Sequence, residues 1–122
     1  MTIHPSSIID PGSKLGEDVT VGPFSVIGPN VKIGRGTVIG SHVLIEANTK
    51  IGENCKIFHG ASIGGEPQIM NFQGVPSSVE IDDGTVIREY ATIHRSGLEN
   101  GATRVGKNCL LMAYSHLGHD CE

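Results

Sequence analysis

The closing stretch Ser115-His116-Leu117-Gly118-His119-Asp120-Cys121 holds the densest set of proton-handling groups in the chain: two histidines three residues apart, the second followed by a carboxylate. Imidazole is the side chain that titrates near neutrality, so such a set suits the giving and taking of protons. A third histidine, His94, lies upstream in Thr92-Ile93-His94-Arg95. The three cysteines, Cys55, Cys109 and Cys121, are odd in number and widely spread without C-x-x-C spacing, which fits reduced thiols better than a disulfide framework or a zinc site.

What positions these groups is a repeat. From Ile3 to Ile63 every sixth residue is Ile, Leu or Val; the register resumes through Ile81, Ile87 and Ile93, and again through Val105, Leu111 and Leu117. Two residues before each comes a small or β-branched residue, such as Ser25, Val31, Thr37 or Cys55. With 38% hydrophobic residues, chance does not produce that order. Three residues after many of them come Gly12, Asp18, Asn30, Gly36, Asn48, Asn54, Gly60, Gly84 and Asn108, types that accept left-handed backbone angles. A six-residue unit of this kind is a short strand plus a corner, and a period of six predicts a parallel β-helix, an all-β solenoid. The aliphatic slot and the slot two before it point inward. All six histidines fall in outward slots, and all three cysteines in small inward ones, where they are expected to pack. Lys14, Lys32 and Lys50, spaced by 18, are expected to form a cationic column, either a solvated face or a docking strip for an acidic carrier.

Two segments break the pattern. Between Gly64 and Val79, Pro67 and Gln73 occupy small inward slots, which predicts an external loop over about 66–78. From 96 to 102, Glu99 stands in an aliphatic slot that no core accepts unpaired, which predicts a second excursion. Loops on a rigid scaffold are common sites of binding groups. Composition narrows the partners: a net charge of -4 lacks the basic surface that nucleic acid requires. No run is long and apolar enough for a membrane span, and the first residues lack a signal peptide, so a cytoplasmic address and no membrane insertion are expected.

The strings Arg88-Glu89-Tyr90-Ala91-Thr92-Ile93-His94-Arg95 and His116-Leu117-Gly118-His119-Asp120-Cys121, set in hexapeptide repeats along the whole chain, resemble the UDP-N-acetylglucosamine acyltransferase family that opens lipid A biosynthesis. The resemblance implies a left-handed parallel β-helix shaped as a triangular prism, with three hexads per coil. It implies a cytoplasmic homotrimer with active sites between subunits, in which a 3-hydroxyacyl chain passes from acyl carrier protein to the 3-hydroxyl of the UDP-sugar. No cofactor is implied beyond the acyl carrier protein thioester, which serves as acyl donor. His119 takes the place of the family's general base and Asp120 that of the carboxylate orienting it; His94 and His116 take substrate-positioning places. Gln68 and Asn71, in the first loop, fall where the family contacts the nucleotide sugar. That loop departs from the family pattern P-Q-D-L-K-Y: Ile69 replaces the acid and Asn71 the lysine. The change leaves an N-acyltransferase acting on the UDP-2,3-diamino sugar as an alternative. A zinc hydratase of the γ-carbonic anhydrase type, using His94, His116 and His119, is another, although the usual histidine pair there is five residues apart. Family members continue for about as long again with more coils and a helical domain, so the chain is read as the N-terminal portion of such an enzyme, with an inactive truncated scaffold as the remaining alternative.

Overall fold

A hexad has room for one short strand and one corner, and the computed structural model, which describes residues 2–121, shows this unit along the chain outside two excursions, with strands of two to four residues. Glu122 lies outside the described residues, as does Met1. The strands assemble into three parallel sheets that form the faces of a solenoid. The first sheet contains Thr2–Ile3, Thr20–Val21, Val38–Ile39, Lys56–Ile57, Val86–Ile87 and Leu110–Leu111; the second contains Ile8–Ile9, Val26–Ile27, Leu44–Ile45, Ser62–Gly65, Thr92–His94 and His116–Leu117. The third contains Lys14–Leu15, Lys32–Ile33, Thr49–Ile51, Ser78–Ile81 and Ala102–Val105.

Register follows the repeat: Val21 pairs with Ile39, Ile27 with Ile45 and Ile33 with Ile51. The aliphatic slots therefore stack into an interior ladder in which Ile27, Ile39, Ile45, Ile57, Ile63, Ile87 and Ile93 are at most 1% exposed. The small inward slots fill the corners and satisfy their backbone. Ser25 Oγ donates to the Gly40 carbonyl at 2.7 Å and accepts from the Val43 N–H at 3.1 Å; Thr37 does the same for Gly52 and Cys55. Coils approach too closely for a side chain after several aliphatic slots: a Cβ on Gly34 would lie 2.6 Å from the Gly52 carbonyl carbon.

The two excursions are whole multiples of the repeat. Ile57 pairs with Ile87, whereas Ile39 pairs with Ile57 one regular coil earlier; the intervening chain holds two extra hexads. Ile87 pairs with Leu111, which leaves room for one extra hexad. The first excursion leaves the solenoid between Gly65 and Ser78, the second between His94 and Ala102, and both do so at the corner joining the second sheet to the third. Pro67, although on the external loop, is buried.

The cysteines follow the expected packing only in part. Cys55 is buried, Cys109 is half-buried and Cys121 is exposed, because no described coil stacks beyond it. The lysine column forms as read, Lys14 beside Lys32 beside Lys50, and continues through Glu80 and Arg104, which approach each other at 3.8 Å. Corner geometry holds one surprise. Asp18, Asn30, Asn48, Asn54 and Asn108 have positive φ as their types suggest, and Gly12 does not, yet Phe24, His42, Tyr90 and Tyr114 also adopt φ between 53° and 61°. Bulky residues rarely tolerate this region. They share one corner, where a column of rings offsets the strain: Phe24 on His42, His42 on His59, His59 on Tyr90 and Tyr90 on Tyr114, with centroids 5.2–5.4 Å apart.

Candidate active site

The histidines meet because strand Thr92–His94 lies between Ser62–Gly65 and His116–Leu117 in the second sheet. Thr92 pairs with His116 and Ile93 with Leu117, which turns the outward side chains of both strands onto one face. The rings of His94 and His116 pack edge to face, 4.9 Å between centroids. The Thr92 hydroxyl holds His116 Nδ1 at 2.8 Å. A bulge between Ile63 and Gly65 brings Gly65 opposite His94, and the absent side chain leaves space for the ring: a Cβ there would lie 3.3 Å from His94 Cδ2 and 3.3 Å from Glu46 Oε2. Glu46 is thus a carboxylate on the same face that the spacing of the motifs does not reveal.

Burial pushes the His94 imidazole below its ordinary value of 6.5, and the neighbouring His116 and His119 add to the effect. Its Nδ1 is buried without a hydrogen-bond partner among the described residues. Because the folded chain resists a proton that the unfolded chain accepts near 6.5, stability is fully present above that pH and is lost as pH falls below it. Denaturation midpoints should therefore fall in steps taken downward from about pH 6.5, and less steeply in His94→Gln. Parallel slopes for the two proteins would contradict this.

His119 and Asp120 occupy the next corner. Asp120 has φ of 62°, and its N–H donates to Thr103 Oγ1 at 2.8 Å, which anchors the turn to the third sheet. Its carboxylate accepts from the Ser96 hydroxyl through Oδ1 and from the Gly97 N–H through Oδ2 at 3.1 Å. His119 Nδ1 lies 3.2 Å from the same Oδ2. The Ser96 hydroxyl, then the Gly97 N–H and His119, hold the Asp120 carboxyl below the ordinary carboxylate range, outweighing partial burial. An ionised Asp120 favours the His119 tautomer protonated on Nδ1, leaving an Nε2 lone pair that has no hydrogen-bond partner among the described residues. The side chain of His119 is 42% exposed, so that lone pair can reach a bound molecule.

The first loop folds onto the second. The Arg95 guanidinium lies over the Phe72 ring, 5.3 Å from its centroid. Ile69 Cδ1 packs on Gly97, at a point where an added Cβ would be 3.9 Å from both His119 Nδ1 and Asp120 Oδ2. From this loop the structure brings Ile69, itself 38% exposed, toward the pair; Gln68 and Asn71 are exposed too, and the Asn71 carbonyl accepts from Gln73 at 2.8 Å. Ser96, Thr92 and Thr103 escape a reading by spacing, since a hydroxyl in a loop, in an outward slot or, like Thr103, in a small inward slot carries no signature of its partner.

Parallel coils on three faces, an interior of stacked aliphatic and small residues and a histidine–carboxylate pair at a corner are the features of a hexapeptide-repeat transferase. The match is direct: the family described as bacterial transferase hexapeptide (six repeats) aligns with residues 1–35, 12–47 and 30–65, and the chain belongs to that family. Within it, the similar proteins are acyl-[acyl-carrier-protein]–UDP-N-acetylglucosamine O-acyltransferases. That of Aquifex aeolicus is 57% identical over 122 residues, covering 99% of this chain and 47% of the relative; that of Sulfurihydrogenibium sp. is 56% identical, covering 98% and 45%. The crystal structure of Francisella novicida UDP-N-acetylglucosamine acyltransferase superposes with a TM-score of 0.94 at 44% identity, covering 98% of this chain and 44% of that one. The chain spans about half the length of the curated relatives it matches.

Proposed function

We propose that this chain carries the general base of an acyl-[acyl-carrier-protein]–UDP-N-acetylglucosamine O-acyltransferase, acting in the first step of lipid A biosynthesis. One observation carries the reading: a His119–Asp120 pair at the corner next to the face that carries His94 and His116, in a chain 56% identical to enzymes of that name. His119 Nε2 takes the proton of the sugar 3-hydroxyl as its oxygen attacks the thioester carbonyl. Collapse of the tetrahedral intermediate forms the ester, breaks the C–S bond and returns the proton from the imidazolium to the departing thiolate. Asp120 stabilises the imidazolium while it exists. The thioester supplies the activation, so the reaction needs no cofactor. His94, held neutral, and His116 position the sugar, and Gln68 and Asn71 contact the nucleotide from the first loop. The working form is a cytoplasmic homotrimer in which a neighbouring subunit closes the open face. No helix among the described residues is long and apolar enough to cross a membrane. The relatives do not favour the amine-acceptor or zinc-hydratase alternatives.

The test is incubation of the chain, alone and extended to the length of its relatives, with UDP-N-acetylglucosamine and acyl carrier proteins bearing 3-hydroxyacyl chains of several lengths. Mass spectrometry should find the sugar nucleotide heavier by one acyl group. No product from an extended form that binds the nucleotide sugar would overturn the proposal.

A further inference from the structure

Ser96 is 0% exposed, although it sits in a Gly- and Asn-containing excursion whose neighbours Leu98, Glu99 and Asn100 are exposed. A buried serine in such a segment has a reason to be there. Its hydroxyl accepts the Leu98 N–H at 3.0 Å and donates to Asp120 Oδ1, so the hydroxyl proton is directed at the carboxylate. Its carbonyl accepts from the hydroxyl of Ser77, itself 5% exposed, at the end of the first excursion. Asp120 Oδ1 is thereby occupied by Ser96, and Oδ2 is shared between Gly97 N–H and His119 Nδ1. The Ser96 bond to Oδ1, added to the Gly97 N–H on Oδ2, restrains rotation of the carboxylate away from the imidazole.

We propose that Ser96 is a positioning residue: by clamping Asp120 Oδ1 it fixes the carboxylate that holds His119 in its Nδ1-protonated tautomer, with Ser77 bracing it from the other loop. The catalytic consequence rests on the acyltransferase reading above; the effect on the tautomer does not. The His119 tautomer is read by long-range proton–nitrogen NMR on the labelled chain, in wild type, Ser96→Ala and Ser96→Cys. The cysteine keeps the side chain's size but is a weak donor, and it serves if the alanine variant does not fold. In wild type, neutral His119 should carry its proton on Nδ1. In both variants a mixture with the Nε2-protonated form should appear, and kcat should fall by about tenfold to a hundredfold at unchanged KM, the scale of one hydrogen bond to a charged group. A wild-type tautomer retained in either folded variant would overturn the proposal, even if turnover fell. A tautomer shift in a protein that makes no acyl ester would sustain it and count instead against the acyltransferase reading.

Discussion

Acyl transfer by His119→Ala should fall by about 10²–10⁴-fold in kcat, with the thermal midpoint unchanged, because general-base assistance is lost and little packing is. The ring is 42% exposed, its hydrogen bond goes to an adjacent residue, and the strand before it is held by backbone pairing of His116 and Leu117 with Thr92 and Ile93. The measurement is product formation by mass spectrometry alongside a circular-dichroism melt. Near-full turnover would remove His119 from the role of base. Loss of turnover together with a lowered melting temperature would show that the residue matters for the corner instead.

Ile93→Ala should have the largest effect on stability, about 2–5 kcal/mol, the usual range for emptying a fully buried aliphatic position. Ile93 is 0% exposed and stacks between Ile63 below and Leu117 above. Each coil contributes a single layer to the core, so a cavity at Ile93 faces the coils on both sides. On either side of Ile93 are Thr92, which holds His116, and His94, so relaxation of the strand also disturbs the histidine face. Chemical denaturation should show a lower midpoint, and activity at temperatures where the variant is still folded should fall as well. A loss below about 1 kcal/mol would mean that the coils close over the gap and would contradict a rigid ladder.

The excursions show how the repeat both reveals and conceals structure. Because the first adds two hexads and the second adds one, every aliphatic slot stays in phase across them, and Ile69, Val75 and Glu99 still fall on the register. Period alone cannot tell a hexad inside a coil from one looped outside it. Composition can, since Pro67, Gln73 and Glu99 are unsuited to a narrow apolar interior. The same limit applies at the corners: Asn and Gly advertise left-handed turns, but Phe24, His42, Tyr90 and Tyr114 occupy them by virtue of a ring column visible only when the coils are stacked.

The sequence by itself determined the solenoid, its inward ladder and the outward placement of His94, His116, His119 and Asp120, because a strict period of six admits one way of burying the same slot in every coil. It also determined the kinship carried by the two histidine-containing strings. Tertiary structure alone decided which partners these groups meet. Ser96 reaches Asp120 across 24 residues, Thr92 reaches His116 across the same span, and Ile69 packs on Gly97 beside the pair. The Ser96 and Ile69 contacts depend on how two loops leave one corner and fold back on each other, which no repeat constrains once the chain has left the coil, whereas Thr92 meets His116 as a cross-strand pair once the extra hexad between them is looped out.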